Sequence, residues 1–592
     1  MFKGTNASAG IGIGKAAIIK EVEMVIRPDK VVSVESEVQR FRGALADTVA
    51  QTKALADDLA TKVGEKEAEI MNGHLMLLAD PMLTGEIEEA IKRESVCSEY
   101  AIETTCSTYA DVFAAMDDEL MQQRATDMRD IKTRMQQVLQ GIKPVDIASL
   151  PEGSIIVAKD LTPSMTAGIN PANVTGIVTE LGGKTSHSAI LARALEIPAV
   201  VAVSNVMDKI EEGDSIVLDG GEGIVIVKPT EAEMNEYTAK RDQFLQEKKD
   251  LERFKGVPTV TKDGVHIELV ANIGNPDDLA KVLEYDGEGV GLFRTEFLFM
   301  DRTSMPTEEE QFEAYKKVAE GLSGKPVIIR TLDIGGDKEI PYMGLAKDEN
   351  PFLGYRAIRL CLDRKEDIYR PQLRALLRAS AFGGIKIMIP MITCIDEIRE
   401  AKALIEDIKN ELDRKDIPYN KNIQIGIMVE TAAASLMADV FAKEVDFFSI
   451  GTNDLTQYLL AVDRQNSALD GFRDTYHPAV LRMIHLVVDN AHKAGIRAGI
   501  CGELAADPAL TREFLAMGVD ELSVSPGRIL PLRRIILETD VSEYRKTRQK
   551  EWQPPVYMET QECHRSNSIC RQGPEEGDTF PAGRSTGDEY LA

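Results

Sequence analysis

Residues 182–193 read GGKTSHSAILAR, and the rest of the chain is organised around this stretch. A strand-like run at 174–180 leads into it, and its two glycines predict a tight turn. Ser186 then occupies the position of an N-cap, ahead of apolar residues that recur at helical spacing. The stretch therefore predicts a strand, a turn and a short helix whose first turn contains His187.

This predicted position gives His187 a chemical setting that suits phosphate. Unpaired backbone N–H groups and the positive end of the helix dipole favour a doubly charged anion there. A neutral imidazole is also a competent nucleophile near pH 7. The stretch alone leaves two interpretations open: a histidine that becomes phosphorylated, or a capping turn that contains a histidine by chance.

Length, charge and cysteine content narrow the class of protein. The chain has 592 residues, 69 basic and 97 acidic side chains and a formal net charge of −28. This length predicts roughly three or four domains. The negative charge disfavours nucleic acid and anionic membranes as partners and favours a basic protein.

No apolar run is long enough for membrane insertion, and no signal peptide is expected at the amino terminus. The seven scattered cysteines lack a CxxC pair, which indicates a reducing compartment and predicts a cytoplasmic location.

Composition divides the first half of the chain into three parts. Residues 1–20 and 145–228 are rich in strand-like runs and predict one α/β domain that contains His187. Residues 21–144 contain few glycines and repeat apolar residues at helical spacing, which predicts an all-helical insertion of two antiparallel pairs. Residues 229–256 are charged and predict a helical linker, with a surface helix of the first domain as the alternative.

Strand and helix patterns alternate across residues 257–545 and predict a (β/α)8 TIM barrel. The eight strand candidates are Ile267–Ala271, Gly289–Phe293, Val327–Thr331, Lys386–Ile389, Gln424–Val429, Phe447–Ile450, Arg497–Ile500 and Glu521–Val524. A doubly wound open sheet is the alternative. In a TIM barrel, chemistry takes place where the strands end.

The predicted strand ends carry an unusual concentration of charged and polar side chains. These are Arg294, Arg330, Glu430, Asn453, Asp454, Arg464, Cys501 and Glu503. Such a rim is costly unless a ligand neutralises it. Arginine forks bind phosphate, and carboxylates bind a hard cation such as Mg²⁺. The rim therefore predicts a site for a phosphorylated carboxylic acid with a divalent metal, although structural ion pairs remain the alternative for any single residue.

The GGKTSHSAILAR stretch resembles the phosphohistidine signature of enzymes that exchange phosphoryl groups with phosphoenolpyruvate. Within that superfamily the chain is most similar to the Enzyme I family of the bacterial sugar phosphotransferase system, from about Gly10 to about Lys546. Further motifs that carry the similarity are GLFRTEFLFM at 291–300, RTLDIGGDK at 330–338 and GTNDLTQY at 451–458. One departure is Ala432, where the family usually has proline, and this changes loop stiffness more than chemistry.

The resemblance implies a transferase that works by a phosphoryl relay. Phosphoenolpyruvate would phosphorylate His187, which would pass the group to a histidine of the phosphocarrier HPr as the first step of sugar uptake. The residues that the resemblance assigns to phosphoenolpyruvate are Arg294, Arg330, Arg356, Asn453 and Arg464. It assigns Mg²⁺ to Glu430 and Asp454, and proton donation to Cys501. It also implies a homodimer formed through the barrel.

The helical insertion contains GHLMLLADPML at residues 73–83, a run that has more apolar residues than one core stripe needs. By resemblance this run belongs to the region that docks HPr. Packing inside the helical block is the alternative for the same residues.

Three other functions share parts of this pattern. A dikinase or synthase that uses phosphoenolpyruvate would also need a large ATP-binding domain, for which the chain has no room and no Gly-rich phosphate loop. A metal-dependent carbon–carbon lyase would use Glu430 and Asp454 but would leave His187 without a role. A non-catalytic regulatory scaffold would not need an uncompensated charged rim.

Residues 546–592 differ from the rest of the chain. They contain Trp552, Cys563 and Cys570 in a run rich in Gly, Ser, Pro, Arg and Glu without helical or strand periodicity. Such composition buries too little apolar surface to compensate for the entropy of ordering. The tail is therefore predicted to be disordered.

Overall fold

A computed structural model describes most of the chain. The described residues are 1–20, 24, 26–62, 65–115, 119–142, 147–166, 169–183, 186–300, 302, 304–335, 340–346 and 348–551. The chain divides into two units, with the boundary between Lys255 and Gly256. No helix among these residues is long and apolar enough to cross a membrane.

The first unit contains a mixed sheet of eight strands. The strands are β1 Phe2–Lys3, β2 Thr5–Ser8, β3 Ile11–Ile19, β4 Ser154–Ala158, β5 Val174–Thr179, β6 Ala199–Val201, β7 Ser215–Asp219 and β8 Ile224–Val227. Their order across the sheet is β1-β8-β7-β3-β4-β5-β6-β2, with β3 to β6 mutually parallel. The sequence did not predict β1 and β2, because strands of two and four residues are too short to show a periodicity.

The first unit also holds eight helices within its described residues. They are α1 Val34–Lys62, α2 Glu65–Leu78, α3 Pro81–Glu94, α4 Ser98–Ala114, α5 Glu119–Gln140, α6 Pro163–Thr166, α7 His187–Ala194 and α8 Glu231–Glu252. The predicted helical insertion is confirmed, and its five helices are one more than the two predicted pairs require. The reason is Asp80, which caps α3 by accepting a hydrogen bond of 2.8 Å from the N–H of Met82. This cap and Pro81 at the first helical position divide the run at 73–83 between two helices.

The polar helix α8 packs on the first unit through its amino-terminal half. Thr230 and Glu233 form a capping box at its start. Tyr237 is buried against Val217 and Ile226 of the sheet. The part of the chain predicted as a linker therefore begins as a surface helix of this unit.

The second unit is a closed barrel of eight parallel strands, which confirms the predicted TIM barrel. The strands are β9 Glu268–Ile273, β10 Val290–Arg294, β11 Pro326–Arg330, β12 Gly384–Ile389, β13 Ile425–Val429, β14 Phe447–Ile450, β15 Arg497–Ile500 and β16 Glu521–Val524. Each strand pairs with its neighbours in chain order, and β16 closes the barrel against β9.

Helices surround this barrel. They are α9 Leu279–Glu284, α10 Glu308–Gly321, α11 Ile358–Asp363, α12 Arg370–Ala379, α13 Ile395–Arg414, α14 Ala432–Leu436, α15 Ala438–Phe441, α16 Thr452–Leu460, α17 Pro478–Ala494, α18 Pro508–Met517, α19 Ile529–Glu538 and α20 Val541–Glu551. Asp263 fixes the start of α20 by accepting hydrogen bonds from the N–H groups of Val541 and Ser542. Regular structure thus continues to Glu551, beyond the predicted start of the tail at 546. Residues 552–592 lie outside the described residues, so their disorder stays a prediction.

A buried carboxyl group at the amino-terminal end of the barrel predicts a pH-dependent stability. Glu521 is the first residue of β16 and lies in register with Glu268. Burial, together with the charge of Glu268, raises the pKa of Glu521 to about 8. A carboxyl group with a raised pKa favours the fold while protonated, and this contribution is lost as the pH rises from 4.5, the ordinary value, towards 8.

We expect Glu521→Gln to stabilise the second unit at pH 9 by about 1–3 kcal/mol, because a neutral amide replaces a buried charge. At pH 5 the change should be much smaller, since Glu521 is then protonated in the folded state. Urea denaturation at both pH values measures the difference, with Glu284→Gln on the exposed side of α9 as the control. An equal effect of Glu521→Gln at both pH values would contradict the raised pKa.

Candidate functional site

A cavity of about 420 Å³ opens at the carboxyl-terminal end of the barrel. The predicted site residues that line it are Arg294, Arg330, Arg356, Glu430, Asn453, Asp454, Arg464 and Cys501. The structure thus brings all the barrel residues of the predicted site into one cavity. The part that each plays in chemistry remains a prediction.

The barrel explains why residues so distant in sequence meet there. Arg294 and Arg330 are the last residues of β10 and β11, and Glu430 and Cys501 directly follow β13 and β15. The carboxyl ends of parallel barrel strands converge on one rim, so these side chains share one opening. Gly451, after β14, permits this crowding, because a Cβ atom there would lie 2.8 Å from Oε2 of Glu430.

Two carboxylates in the cavity have oxygens that need a cation or a proton. Glu430 is fully buried, and its Oε1 accepts a hydrogen bond of 2.8 Å from the N–H of Met391. Among the described residues, Oε2 of Glu430 and Oδ1 of Asp454 are buried without a hydrogen-bond partner. Oδ1 of Asp454 lies 3.4 Å from Nη1 of Arg464. Burial, with the neighbouring charge of Asp454, raises the pKa of Glu430 to about 8.

These two carboxylates fit a hard divalent cation. The described part of the chain has no cluster of three or more His, Cys, Asp or Glu side chains arranged for a metal. A pair of carboxylates is nevertheless sufficient for Mg²⁺, which commonly takes one or two protein carboxylates and completes its shell with water and substrate phosphate. Glu430 and Asp454 are therefore the residues of this cavity suited to hold a metal.

Three arginines of the cavity are oriented by neighbouring side chains. Arg330 is buried and places Nη2 2.5 Å from Oε1 of Glu296. The guanidinium groups of Arg356 and Arg464 lie 5.6 and 5.4 Å from the centre of the Phe352 ring. Such cation–π contacts favour a fixed orientation of the guanidinium plane.

Cys501 has a buried thiol whose chemistry differs from that of a nucleophilic cysteine. Its thiol is buried, and Sγ lies 3.6 Å from the carbonyl oxygen of Ile450. Burial raises the pKa of Cys501 to about 12. The group therefore stays protonated at neutral pH, whereas nucleophilic cysteines need a lowered pKa.

His187 lies in the first unit and begins α7. The predicted strand and helix are present, because β5 ends at Thr179 and Ser186 caps α7 by accepting a hydrogen bond of 3.4 Å from the N–H of Ala189. The hydroxyl of Ser186 also donates to the carbonyl oxygen of Gly183 at 2.9 Å. The structure describes His187 through its backbone, and its side chain lies outside the described part, as do Lys184 and Thr185.

The predicted docking run at 73–83 divides into buried and exposed residues. Leu78 and Leu83 are buried in the core of the helical block, and His74 is buried as well. Met76 and Met82 are 75% and 66% exposed. Packing inside the block therefore explains part of the run, and two large apolar side chains remain on the surface.

Several polar side chains of the cavity were not among the predicted site residues. These are Glu296, Asp333, Gln465 and Arg473. Glu296 and Asp333 lie within the quoted motifs, two residues after Arg294 and three after Arg330, so proximity in sequence could have identified them. Arg473 lies in an irregular segment before α17 and had no such signal.

Comparison with known protein families covers most of the chain. Three family models match it in succession: PEP-utilising enzyme, N-terminal, at residues 3–124; PEP-utilising enzyme, mobile domain, at 150–223; and PEP-utilising enzyme, PEP-binding domain, at 248–541. The last of these contains the whole barrel, and the mobile domain contains His187.

Individual proteins match over nearly their whole length. A phosphoenolpyruvate-protein phosphotransferase from Listeria innocua is 46% identical over 542 residues, which is 92% of this chain and 95% of that protein. The protein of the same name from Bacillus subtilis is 46% identical over 549 residues, or 93% of this chain and 96% of that protein. A solution structure of Enzyme I (nEIt) is 39% identical, covers 41% of this chain and 99% of that chain, and has a TM-score of 0.38.

Proposed function

Because the chain belongs to the phosphoenolpyruvate-protein phosphotransferases, the Enzyme I family, we propose a relay from phosphoenolpyruvate through His187 to the phosphocarrier HPr. The family activity is transfer of the phosphoryl group of phosphoenolpyruvate. The observation that carries the site assignment is the barrel cavity, which combines several arginines with two incompletely paired carboxylates. An ATP-dependent dikinase or synthase is disfavoured, since relatives without that activity in their names align over 95% and 96% of their length.

In this proposal, the cavity binds phosphoenolpyruvate through its cationic side chains. Arg294 and Arg330, at neighbouring strand ends, contribute guanidinium groups that match the geometry of phosphate oxygens. Arg356, Arg464 and Asn453 complete the set around the rest of the anion. Since Arg330 and Arg356 are already oriented by their neighbours, little ordering is needed when the substrate binds.

Glu430 and Asp454 would hold Mg²⁺, for which their buried oxygens are suited. When bound, such a cation stabilises negative charge on a phosphoryl group during transfer. Between them the two carboxylates would also compensate part of the positive charge of the arginines before substrate arrives.

The chemistry of the protein side chains then follows in two steps. The imidazole of His187 attacks phosphorus in line, so that an N–P bond forms and the bond between phosphorus and the enolate oxygen breaks. The thiol of Cys501 donates a proton to carbon of the enolate, which yields pyruvate, and solvent restores the thiol proton. His187 belongs to the first unit and the cavity to the second, so the two must meet during the cycle.

The phosphocarrier is proposed to dock on the run at 73–83. The support is the exposure of Met76 and Met82, together with the strongly negative charge of the chain, which favours a basic partner. Solvent-exposed methionines are adaptable apolar contacts for a partner surface.

We expect the double variant Met76→Ser and Met82→Ser to slow phosphoryl transfer to HPr about ten- to thirtyfold, the range of a moderate interface hot spot. Labelling of His187 from phosphoenolpyruvate should not change, because the variant leaves the barrel intact. The control is Leu245→Ser, which removes a 48% exposed apolar side chain from α8. Equal rates for the double variant and the control would exclude this docking surface.

A cytoplasmic homodimer is proposed from two further features. The five cysteines in the described residues are all free, which suits a reducing compartment. Leu436 ends α14 of the barrel unit and Met437 follows it; their side chains are 61% and 44% exposed and offer apolar surface to a second copy. A sedimentation mass of one chain at micromolar concentration would contradict the dimer.

The overall proposal is tested by incubating the protein with phosphoenolpyruvate labelled in the phosphoryl group and with Mg²⁺. We expect one acid-labile phosphoryl group per chain and an equal amount of pyruvate, because phosphohistidine is lost in acid whereas phosphoserine is retained. No label would indicate a regulatory scaffold, and labelling that requires ATP would indicate a dikinase or synthase.

A further inference from the structure

Asp333 joins two arginines that come from separate segments of the barrel rim. It lies in the cavity wall three residues after Arg330, and its side chain is 2% exposed. Its Oδ2 lies 2.9 Å from Nη1 of Arg330. Its Oδ1 accepts two hydrogen bonds from Arg356, 2.7 Å from Nη2 and 3.1 Å from Nε. Both carboxylate oxygens are thus directed at guanidinium groups.

The presence of this carboxylate is unexpected for a cavity that binds an anion. A negative charge so close to phosphoenolpyruvate would by itself weaken binding, because like charges repel strongly where solvent is excluded. A carboxylate at this position is therefore expected to bring a compensating benefit. The geometry supplies one, since a guanidinium held along its Nε and Nη2 edge by one carboxylate oxygen cannot rotate freely.

The other neighbours of the two arginines complete the same arrangement. Glu296 holds Nη2 of Arg330 on the side away from Asp333. The ring of Phe352 lies beneath Arg356, and the hydroxyl of Tyr458 is 3.5 Å from its Nη1. Asp333 is the member of this group that contacts both guanidinium groups, and so it fixes each of them relative to the other.

We propose that Asp333 is a positioning residue, which sets Arg330 and Arg356 in the mutual orientation that binds phosphoenolpyruvate. This inference rests on the proposed function of the cavity, in which both arginines contact the substrate. In this proposal the two oxygens of Asp333 are engaged by the arginines rather than by the substrate. Its effect on the reaction passes through the two arginines.

Three possible roles for Asp333 predict different changes in the half-saturating concentration of phosphoenolpyruvate when Asp333 is replaced by Asn. This variant keeps the shape of the side chain and removes its charge. If Asp333 acts only through its electric field, the concentration of phosphoenolpyruvate at half-maximal rate should fall, because the cavity becomes more positive. If Asp333 is only structural, that concentration should not change and the melting temperature should fall. A positioning role predicts that the half-saturating concentration rises roughly ten- to a hundredfold, as for the loss of a group that orients a binding residue.

The experiment measures the initial rate of labelling of His187 at increasing phosphoenolpyruvate, together with the melting temperature, in the full-length chain with Mg²⁺. The matched control is Asp286→Asn, which removes the charged partner of the buried Arg533 outside the cavity. We expect this control to lower the melting temperature with an unchanged half-saturating concentration. Asp333→Glu, which keeps the charge but displaces it by one methylene group, should recover part of the loss in Asp333→Asn.

If Asp333→Asn does not fold, Asp333→Glu tests the same contact, because glutamate keeps the charge of the cavity and displaces the carboxylate from both guanidinium groups. A smaller rise in half-saturating concentration is expected. A value within twofold of the unchanged protein, or below it, for the variant that folds would overturn the proposal. Absence of labelling in the unchanged protein would instead refute the proposed function, so the two failures are distinguishable.

Discussion

Replacement of His187 by alanine is expected to abolish labelling of the protein by phosphoenolpyruvate, with a loss on the order of 10⁴-fold or more, as for other covalent nucleophiles. The physical reason is that alanine offers no lone pair to phosphorus, whereas the arginines of the barrel still bind the substrate. Pyruvate release should stop together with labelling, because the phosphoryl group has no acceptor. Quantification of acid-labile phosphate and of pyruvate in the same sample measures both.

The control for this variant is His485→Ala, which removes an exposed histidine from α17 of the barrel unit. We expect normal labelling of the control and a circular dichroism spectrum unchanged in both variants, since Ser186 and not His187 provides the cap of α7. Label that persists on another histidine of His187→Ala would show that the assignment is wrong.

The barrel was predictable from sequence because its strands are buried on both faces. A run such as Ile425–Val429, fully buried, reads as a continuous apolar segment between turn signals. The same apolar signal recurs along the chain with helical patterns between its occurrences, and this alternation predicts a closed barrel. β1 and β2 could not be predicted in this way, because they pair across the sheet with β8 and β6, some 200 residues later in the chain.

The cavity was predictable for a different reason, which also explains what was missed. Residues directly after a barrel strand must lie at the rim, so the position of Glu430 or Cys501 follows from the strand pattern. The sequence does not distinguish a charged side chain that binds a ligand from a charged side chain that orients another residue of the site. Asp333 and Glu296 are of the second kind, and only the distances to Arg330 and Arg356 reveal it.

The helical block shows where local signals compete. The apolar spacing in residues 21–144 predicted long paired helices, yet Asp80 and Pro81 together end one helix and begin the next. A cap of this kind contributes about 1 kcal/mol, which is enough to decide where a helix starts when the apolar pattern runs through the break. The same break leaves Met82 in the first turn of α3, where its side chain is exposed.

The second large effect is expected at the carboxylates of the cavity. Glu430→Gln keeps the shape of the side chain and its hydrogen bond from Met391, but it removes the charge that a divalent cation requires. We expect the affinity for Mn²⁺, measured directly by electron paramagnetic resonance, to fall about ten- to a hundredfold or more, as for the loss of groups that tune a metal site. Asp454→Asn should behave similarly, and both variants should need more Mg²⁺ for labelling by phosphoenolpyruvate.

The control for bulk charge is Glu503→Gln, since Glu503 also lines the cavity but its side chain is 76% exposed and lies 3.6 Å from Arg473. Loss of the Glu503 charge should leave Mn²⁺ binding nearly unchanged, because water screens an exposed carboxylate. Water cannot in the same way take the place of a buried carboxylate such as Glu430. Phosphoryl transfer from phosphorylated HPr back to His187 should survive in Glu430→Gln, because α7 and the docking run both belong to the first unit. If that reverse step fell as far as the forward one, Glu430 would have to act on the first unit rather than through a metal in the barrel. Equal loss of Mn²⁺ affinity in Glu503→Gln would likewise remove the case for a specific pair, because the cavity would then attract cations through its total charge alone.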